Sequence, residues 1–377
     1  MTHINELMPT YRLRQVERLP VGGSVADAWA AARGLDIYAI SYFRSLIWLR
    51  VLPQRTVAWL RGKPEPLSRE ARIEEIVKPG SGFMLLHEDP GREVVVGAVG
   101  KFWQPKITWA DLSPAAFTSF AEPGWGKLAW NLRVDPRQGG AWVSCDLRVT
   151  STDDTSWKRF RRYFRLIGPF SHAIRKAALR EVARKVGAAT SLGSAALPGD
   201  EILPEARFQR THTIIIEAPP AAIWPWLAQM GGQRAGWYSV DLLDNGGKRS
   251  ADRIIPELQH IAVGDIIPAL WKGADGFAVL RADPGNVLVL GSPEIRQEYR
   301  KNAHLAASIM TWAFALSPIG DDATELQVRV RAAFDVGPKM AARRTVIGAA
   351  HEIMERAQLR NLKRRVEGAS SASVPVQ

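Results

Sequence analysis

Two stretches of strict alternation, each split by a turn and each followed by a helix, constrain this chain more than any other feature. In the first, Leu128, Trp130, Leu132 and Val134 alternate with Lys127, Ala129, Asn131 and Arg133. After the turn DPRQGG, Ala141, Val143, Cys145, Leu147 and Val149 alternate with Trp142, Ser144, Asp146 and Arg148. A period of two interrupted by Pro and Gly predicts an antiparallel hairpin with one buried face. The run STDD then supplies N-cap residues for a helix from about Asp153 to Ile167, expected to break at Gly168-Pro169 and resume over Ser171 to Val186. In the second stretch, Trp312, Phe314 and Leu316 alternate with small residues, and Leu326, Val328, Val330, Ala332, Phe334 and Val336 alternate with Gln327, Arg329, Arg331 and Asp335. Lys339 to Val366 follows as one long helix, with Met340, Val346, Ile347, Ala350, Ile353, Met354 and Ala357 as its apolar stripe. Hairpin, turn and long helix thus occur twice. Such a repeat predicts two similar domains by duplication and divergence.

The boundary between the copies falls in GAATSLGSAALPGDEILPEA, residues 187–206, which are small and Gly/Pro-bearing. The organisation predicted is a first domain over 1–190, a linker over 191–206, a second domain over 207–368 and a disordered tail over 369–377. At 377 residues the chain is long enough for two cores. A further helix is expected at Ser41–Trp59, where Arg44 and Arg50 interrupt the apolar run and argue against a membrane span. The single cysteine, Cys145, excludes an internal disulfide and favours a cytoplasmic protein, and its place beside Val143 and Leu147 makes it a packing residue. Charge is unevenly placed: residues 1–190 hold 29 Lys and Arg against 18 Asp and Glu, out of a net +12 for the whole chain. That excess suits weak contact with an anionic membrane surface, or else a solvated helix face. No nucleic-acid motif accompanies it, so no nucleic-acid partner is expected.

The densest cluster of aromatic and acidic residues lies between Thr211 and Asn245. A β-branched run, Thr213 to Ile216, is stopped by Pro219-Pro220, and a short helix ends at Gly231-Gly232. Trp224 and Trp226 lie on that helix, Trp237 and Tyr238 follow it, and Asp241 and Asp244 come next. Aromatic rings beside a strand-helix corner with polar groups close by suit one wall of a ligand cavity, or ordinary core with two surface aspartates.

The order APPAAIWPWLAQMGGQRAGWYSVDLLDN, ADRIIPELQHIAVGD and MTWAFALSP resembles the START-like superfamily of polyketide cyclases and dehydrases (SRPBCC proteins). The resemblance covers about 207–366. REVVVGAVGKFWQP, FAEPGWGKLAWNLRV and RFRRYFRLIGPFSHAIR look like a remoter copy in the first half. It implies an α+β fold of two tandem helix-grip domains, each a curved antiparallel sheet around a long C-terminal helix, with an apolar cavity between sheet and helix.

No HExxH, GxSxG, GxxxxGK[ST] or strand-associated GxGxxG is present, so no metal site and no cofactor are expected. Acid/base chemistry would need a carboxyl inside the cavity, where burial raises its pKa toward neutrality. Asp241, Asp244 and Glu257 are the candidates, with Tyr238 as a hydrogen-bond donor. Trp237, Tyr238 and Trp312 are expected to line the cavity of the second domain, with Asp241 at its polar end. The function expected first is binding or carriage of a lipid-like or polyaromatic small molecule. The alternative is an enzyme of the polyketide cyclase or dehydratase type. A carboxylate facing the cavity would discriminate between them.

Overall fold

The computed structural model describes residues 2–36, 72–189, 196–272, 275–295, 308–334 and 353–369. The expected helix Ser41–Trp59, the first part of the predicted C-terminal helix (339–352) and the tail 370–377 lie outside the described residues. The chain divides into two compact units, Met1–Thr190 and Ser191–Gln377.

The first unit opens with α1 (His3–Leu7), β1 (Leu13–Val21) and α2 (Val25–Arg33), where Ser24 and Asp27 form a reciprocal cap on the helix start. A short α3 (Ile73–Ile76) precedes β2 (Phe83–Asp89), β3 (Glu93–Gly100), β4 (Gly126–Arg137) and β5 (Gly140–Ser151). The strands form one antiparallel sheet in the order β1-β5-β4-β3-β2. The alternating hairpin is therefore its centre, with Leu128 opposite Val149 and Trp130 opposite Leu147. Asp153 then caps the start of α4 (Asp154–Val186) by accepting from the Ser156 N–H. That helix packs on β1 and β5.

Two expectations fail in this unit. First, α4 does not break at Gly168-Pro169; it runs through Pro169 for 33 residues. Proline removes one ladder hydrogen bond, but Phe160 and Phe164 before it and Leu179 and Val182 after it are anchored in the same unit. Tertiary packing overrides the local penalty. Second, the hairpin is buried on both faces. Asn131, Arg133, Asp146 and Arg148, which alternation assigned to solvent, are all buried. Ile4, Met8 and Phe117 cover that face, and its charges are matched. Arg148 donates to the carbonyls of Ile4 and Met8, Asp146 accepts from Arg14 at 2.9 Å, and Glu93 accepts from Asn131 at 2.6 Å. Buried charges persist where partners satisfy them.

The second unit repeats the plan: β6 (Phe208–Ile216), α5 (Pro220–Ala228), α6 (Asp241–Asp244), β7 (Ile266–Pro268), β8 (Gly276–Asp283), β9 (Val287–Gly291), β10 (Ser308–Ile319), β11 (Ala323–Phe334) and α7 (353–369). Its antiparallel sheet has the order β6-β11-β10-β9-β8-β7, the same as the first with one added edge strand. Each sheet also carries one register shift on the equivalent strand pair, between Leu85 and His87 in one and between Val279 and Arg281 in the other. Such bulges add curvature. Trp312, Phe314 and Leu316 share a core with Leu326, Val328 and Val330 and with Leu359, Leu362 and Val366 of α7. The fold is thus α+β, with a curved antiparallel sheet and a long terminal helix in each unit.

Part of the predicted linker belongs to the second unit. Leu197 is buried with Val287, Val289, Ala313 and Ala315 on the outer face of the sheet. Asp200 pairs with the guanidinium of Arg329, a side chain only 1% exposed. Small residues and the Pro198-Gly199 punctuation suggested a tether; a hydrophobic anchor and a buried ion pair hold 197–203 in place. Among the described residues no helix is long and apolar enough to cross a membrane.

Candidate functional site

The corner between β6 and α5 leads into a loop whose backbone is tightly specified. Tyr238 sits at φ 58, in the left-handed region that a bulky residue rarely adopts. Its N–H bonds the Ser250 hydroxyl at 3.1 Å, and its own hydroxyl accepts from Gln229 at 2.8 Å and donates to the Trp226 carbonyl at 3.2 Å. Asn361 of α7 donates to the Tyr238 carbonyl at 2.8 Å, and Ser239 donates to the Met354 carbonyl at 2.8 Å. These bonds tie the loop to α7 and so set where α6 begins.

Beyond that loop, a cavity of about 250 Å³ lies among β8, β10, α6 and α7. Trp237 and Trp312 form one wall, stacked at 5.3 Å between ring centroids and 28° between planes. Phe277 meets each of them edge-on, at 5.8 and 5.9 Å. The Trp237 indole N–H bonds the Ala269 carbonyl at 2.9 Å, which fixes the ring. Leu270, Met310 and Met354 add flexible apolar surface. Rigid flat rings and pliable side chains together suit a flat apolar guest.

The polar end is made by Asp244, Glu355 and Gln358. All three are buried, at 5%, 2% and 1% exposure. Glu355 bonds His212 of β6 at 2.9 Å. The Oδ1 of Asp244 and the Oε1 of Gln358 have no hydrogen-bond partner among the described residues. Burial, and then the neighbouring Asp241 carboxylate, push Asp244 up to about 6. A carboxyl tuned to that value exchanges a proton readily near neutrality.

Of the residues singled out from sequence, Trp237 and Trp312 are brought together on the cavity wall. Tyr238 and Asp241 are not among its lining residues. Tyr238 is turned into the core, where burial pushes its phenol up to about 12. Asp241 accepts from the Ser250 hydroxyl, which holds it at the head of α6, one helical turn from Asp244. Glu257 lies exposed in a 3-10 turn, Pro256–Leu258, and is no part of the wall. Glu355 and Gln358 were missed. They occupy the buried stripe of α7 with Leu359, Leu362 and Val366, whereas Ile353, assigned to that stripe, is 65% exposed. The legible signal was that Glu355 and Gln358 share helical spacing with Leu359, Leu362 and Val366, whereas the stripe drawn from sequence runs through Ile353, Met354 and Ala357.

The first unit also holds a cavity, of about 270 Å³, enclosed by β2, β4, β5, the segment 102–109 and α4. Phe102, Trp109, Trp130, Phe160 and Phe164 dominate it, and no carboxylate, amine, imidazole or thiol is among its described lining residues. Cys145 is buried in the same unit, and burial pushes its thiol up to about 12, so it is inert packing.

No protein-family model matches the chain, and no curated protein does. Among solved structures, it is similar to the di-domain ARO/CYC StfQ from the steffimycin biosynthetic pathway, at 8% identity and a TM-score of 0.27 over 95% of this chain and 99% of that one. It is also similar to the di-domain ARO/CYC BexL from the BE-7585A biosynthetic pathway, at 13% identity and a TM-score of 0.23 over 94% and 99%. A third is DynU16, from the dynemicin biosynthetic locus, at 8% identity and a TM-score of 0.20 over 96% and 97%. Likeness at these values carries no functional argument. The fold rests on the strand order and helix packing described above.

Proposed function

We propose that the second unit binds a flat, hydrophobic small molecule of polyketide type and catalyses its cyclisation or dehydration, with Asp244 as general acid and base. One observation carries the reading: a buried carboxyl, pushed up to about 6 and with one oxygen unpartnered among the described residues, faces an apolar cavity beside two stacked indoles. A carrier needs only the apolar wall. A carboxyl in such a place costs stability when ionised, and that cost is understandable if the group does chemistry. In a dehydration, the ionised Asp244 would take the proton next to a ketone and return it to the departing hydroxyl, so that water leaves and a double bond forms. In a cyclisation, the same proton would pass to the oxygen of the carbonyl attacked by the enolate. The tryptophans would orient the guest, and Asp241 would tune Asp244 from outside the wall. We place this activity in the cytoplasm, where a lone buried thiol such as Cys145 is at home.

Binding and carriage alone is the second reading, favoured by the predominance of apolar side chains in the wall. Native mass spectrometry of freshly purified protein would give the mass of any guest. A linear β-hydroxy ketone of matching size would then be incubated with the wild type, Asp244→Asn and Trp312→Ala. The expected result is loss of one water from the compound with the wild type and a fall of about 10²–10⁴-fold in that rate for Asp244→Asn, with binding retained. Trp312→Ala should weaken binding and rate together. An unchanged rate in Asp244→Asn would leave carriage as the function.

A further inference from the structure

The middle of α4 presents two faces of opposite character. Inward, Phe160, Phe164, Ile167 and Ser171 follow one another at spacings of four, three and four and line the aromatic cavity of the first unit. Outward, Arg159, Arg162, Leu166 and Phe170 form a parallel ridge at spacings of three, four and four. Lys158, Arg161 and Arg165 flank that ridge, and all five cations of 158–165 are exposed. Leu166 is 73% exposed and Phe170 41%. Between Asp154 and Glu181 the sequence contains no acidic residue. None of these five cations makes an ion pair among the described residues.

A merely solvated helix face usually interleaves acids with bases at i,i+4, which supports the helix and keeps it soluble. Here like charges are crowded within two turns and followed by a large apolar side chain held out in water. Both features are unfavourable in solution, and an anionic bilayer relieves both. Lipid phosphates and carboxylates neutralise the cations, and Leu166 and Phe170 enter the interfacial region.

We propose that residues 158–170 of α4 form a docking surface for an anionic phospholipid membrane. The partner is the bilayer surface itself. Nucleic acid would satisfy the charges but offers nothing for Leu166. Docking through this ridge sets the aromatic cavity of the first unit one helix diameter from the lipid, so a membrane-dissolved apolar compound reaches it with little exposure to water. Docking at α4 is independent of the chemistry assigned to the second unit.

The test is co-sedimentation of the full chain with phosphatidylcholine vesicles, with and without phosphatidylserine, across a range of salt. Three proteins would be compared: the wild type, the triple variant Arg161→Ser/Arg162→Ser/Arg165→Ser, and the double variant Leu166→Ser/Phe170→Ser. All the altered side chains are exposed, and circular dichroism would verify that each variant keeps its fold. The wild type should pellet with phosphatidylserine vesicles and stay in solution with phosphatidylcholine alone. The triple variant should bind about tenfold or more weakly, and the double variant should lose the fraction that survives raised salt. Equal pelleting with neutral vesicles, wild-type binding by the triple variant, or no pelleting at all would each overturn the proposal. So would retention on duplex DNA that depends on the same arginines while vesicle binding is absent.

Discussion

Asp244 illustrates how a single side chain can trade stability for chemistry. Its carboxyl keeps its proton up to about 6 in the folded chain, against an ordinary value of 3.8, because burial and then Asp241 disfavour the ionised form. The folded state therefore holds the proton more tightly than the unfolded state. The associated stability is fully present below the ordinary value and is lost as pH rises through about 6. Asp244→Asn removes that dependence. Near neutral pH the variant is expected to be more stable than the wild type by about 1–3 kcal/mol, with the difference shrinking below about 6 and vanishing only below the ordinary value of 3.8. Urea unfolding of both proteins across this range checks it, and a variant less stable at neutral pH would show that the carboxylate has an ionic partner.

Among the elements, α4 departs furthest from its local propensities. Gly168 is buried, and a Cβ there would meet the Phe164 ring at 2.9 Å. Pro169, next in sequence, is exposed and sits in mid-helix. Its ring cannot donate to the preceding turn, and a proline in an exposed helix interior costs about 3 kcal/mol relative to alanine. Because packing on both sides already holds the helix, Pro169→Ala should recover part of that cost, raising stability by about 1–3 kcal/mol. Hydrogen exchange should slow at residues 165–170 in the same variant. Unchanged exchange there would mean that the proline is already accommodated without a weakened turn.

At the scale of the whole molecule, the two units have their own sheets and their own cores, and 197–203 belongs to the second. A fragment over 191–377 is expected to unfold cooperatively by itself. One over 204–377 lacks Leu197, the Asp200 partner of the buried Arg329 and Leu203. Losing one member of a buried ion pair costs about 3–5 kcal/mol, so the shorter fragment should be less stable by at least that order. Denaturant titration of both fragments measures the difference. Equal midpoints would reduce 197–203 to a tether after all.

The sequence by itself determined the repeated plan. Period-two alternation in Leu128–Val134 and Trp312–Leu316 needs only one apolar face to become a strand, and Pro and Gly punctuation sets where hairpins turn. The same alternation put Trp312, Phe314 and Leu316 on one face, and that face packs against α7. What it could not decide was which polar residues would be buried, because burial depends on what a distant segment covers. Asp146 and Arg148 read as solvent-facing until α1 and the segment around Phe117 close over them. Glu355 and Gln358 fall outside the apolar stripe that periodicity gives for this helix, yet they face a cavity shared with β10 and α6. Asp241 and Asp244 lie three residues apart on one short helix, and only the tertiary structure turned Asp244 inward while the Ser250 hydroxyl held Asp241 outside. Periodicity is a local property of the chain, whereas desolvation is set by everything packed around a side chain.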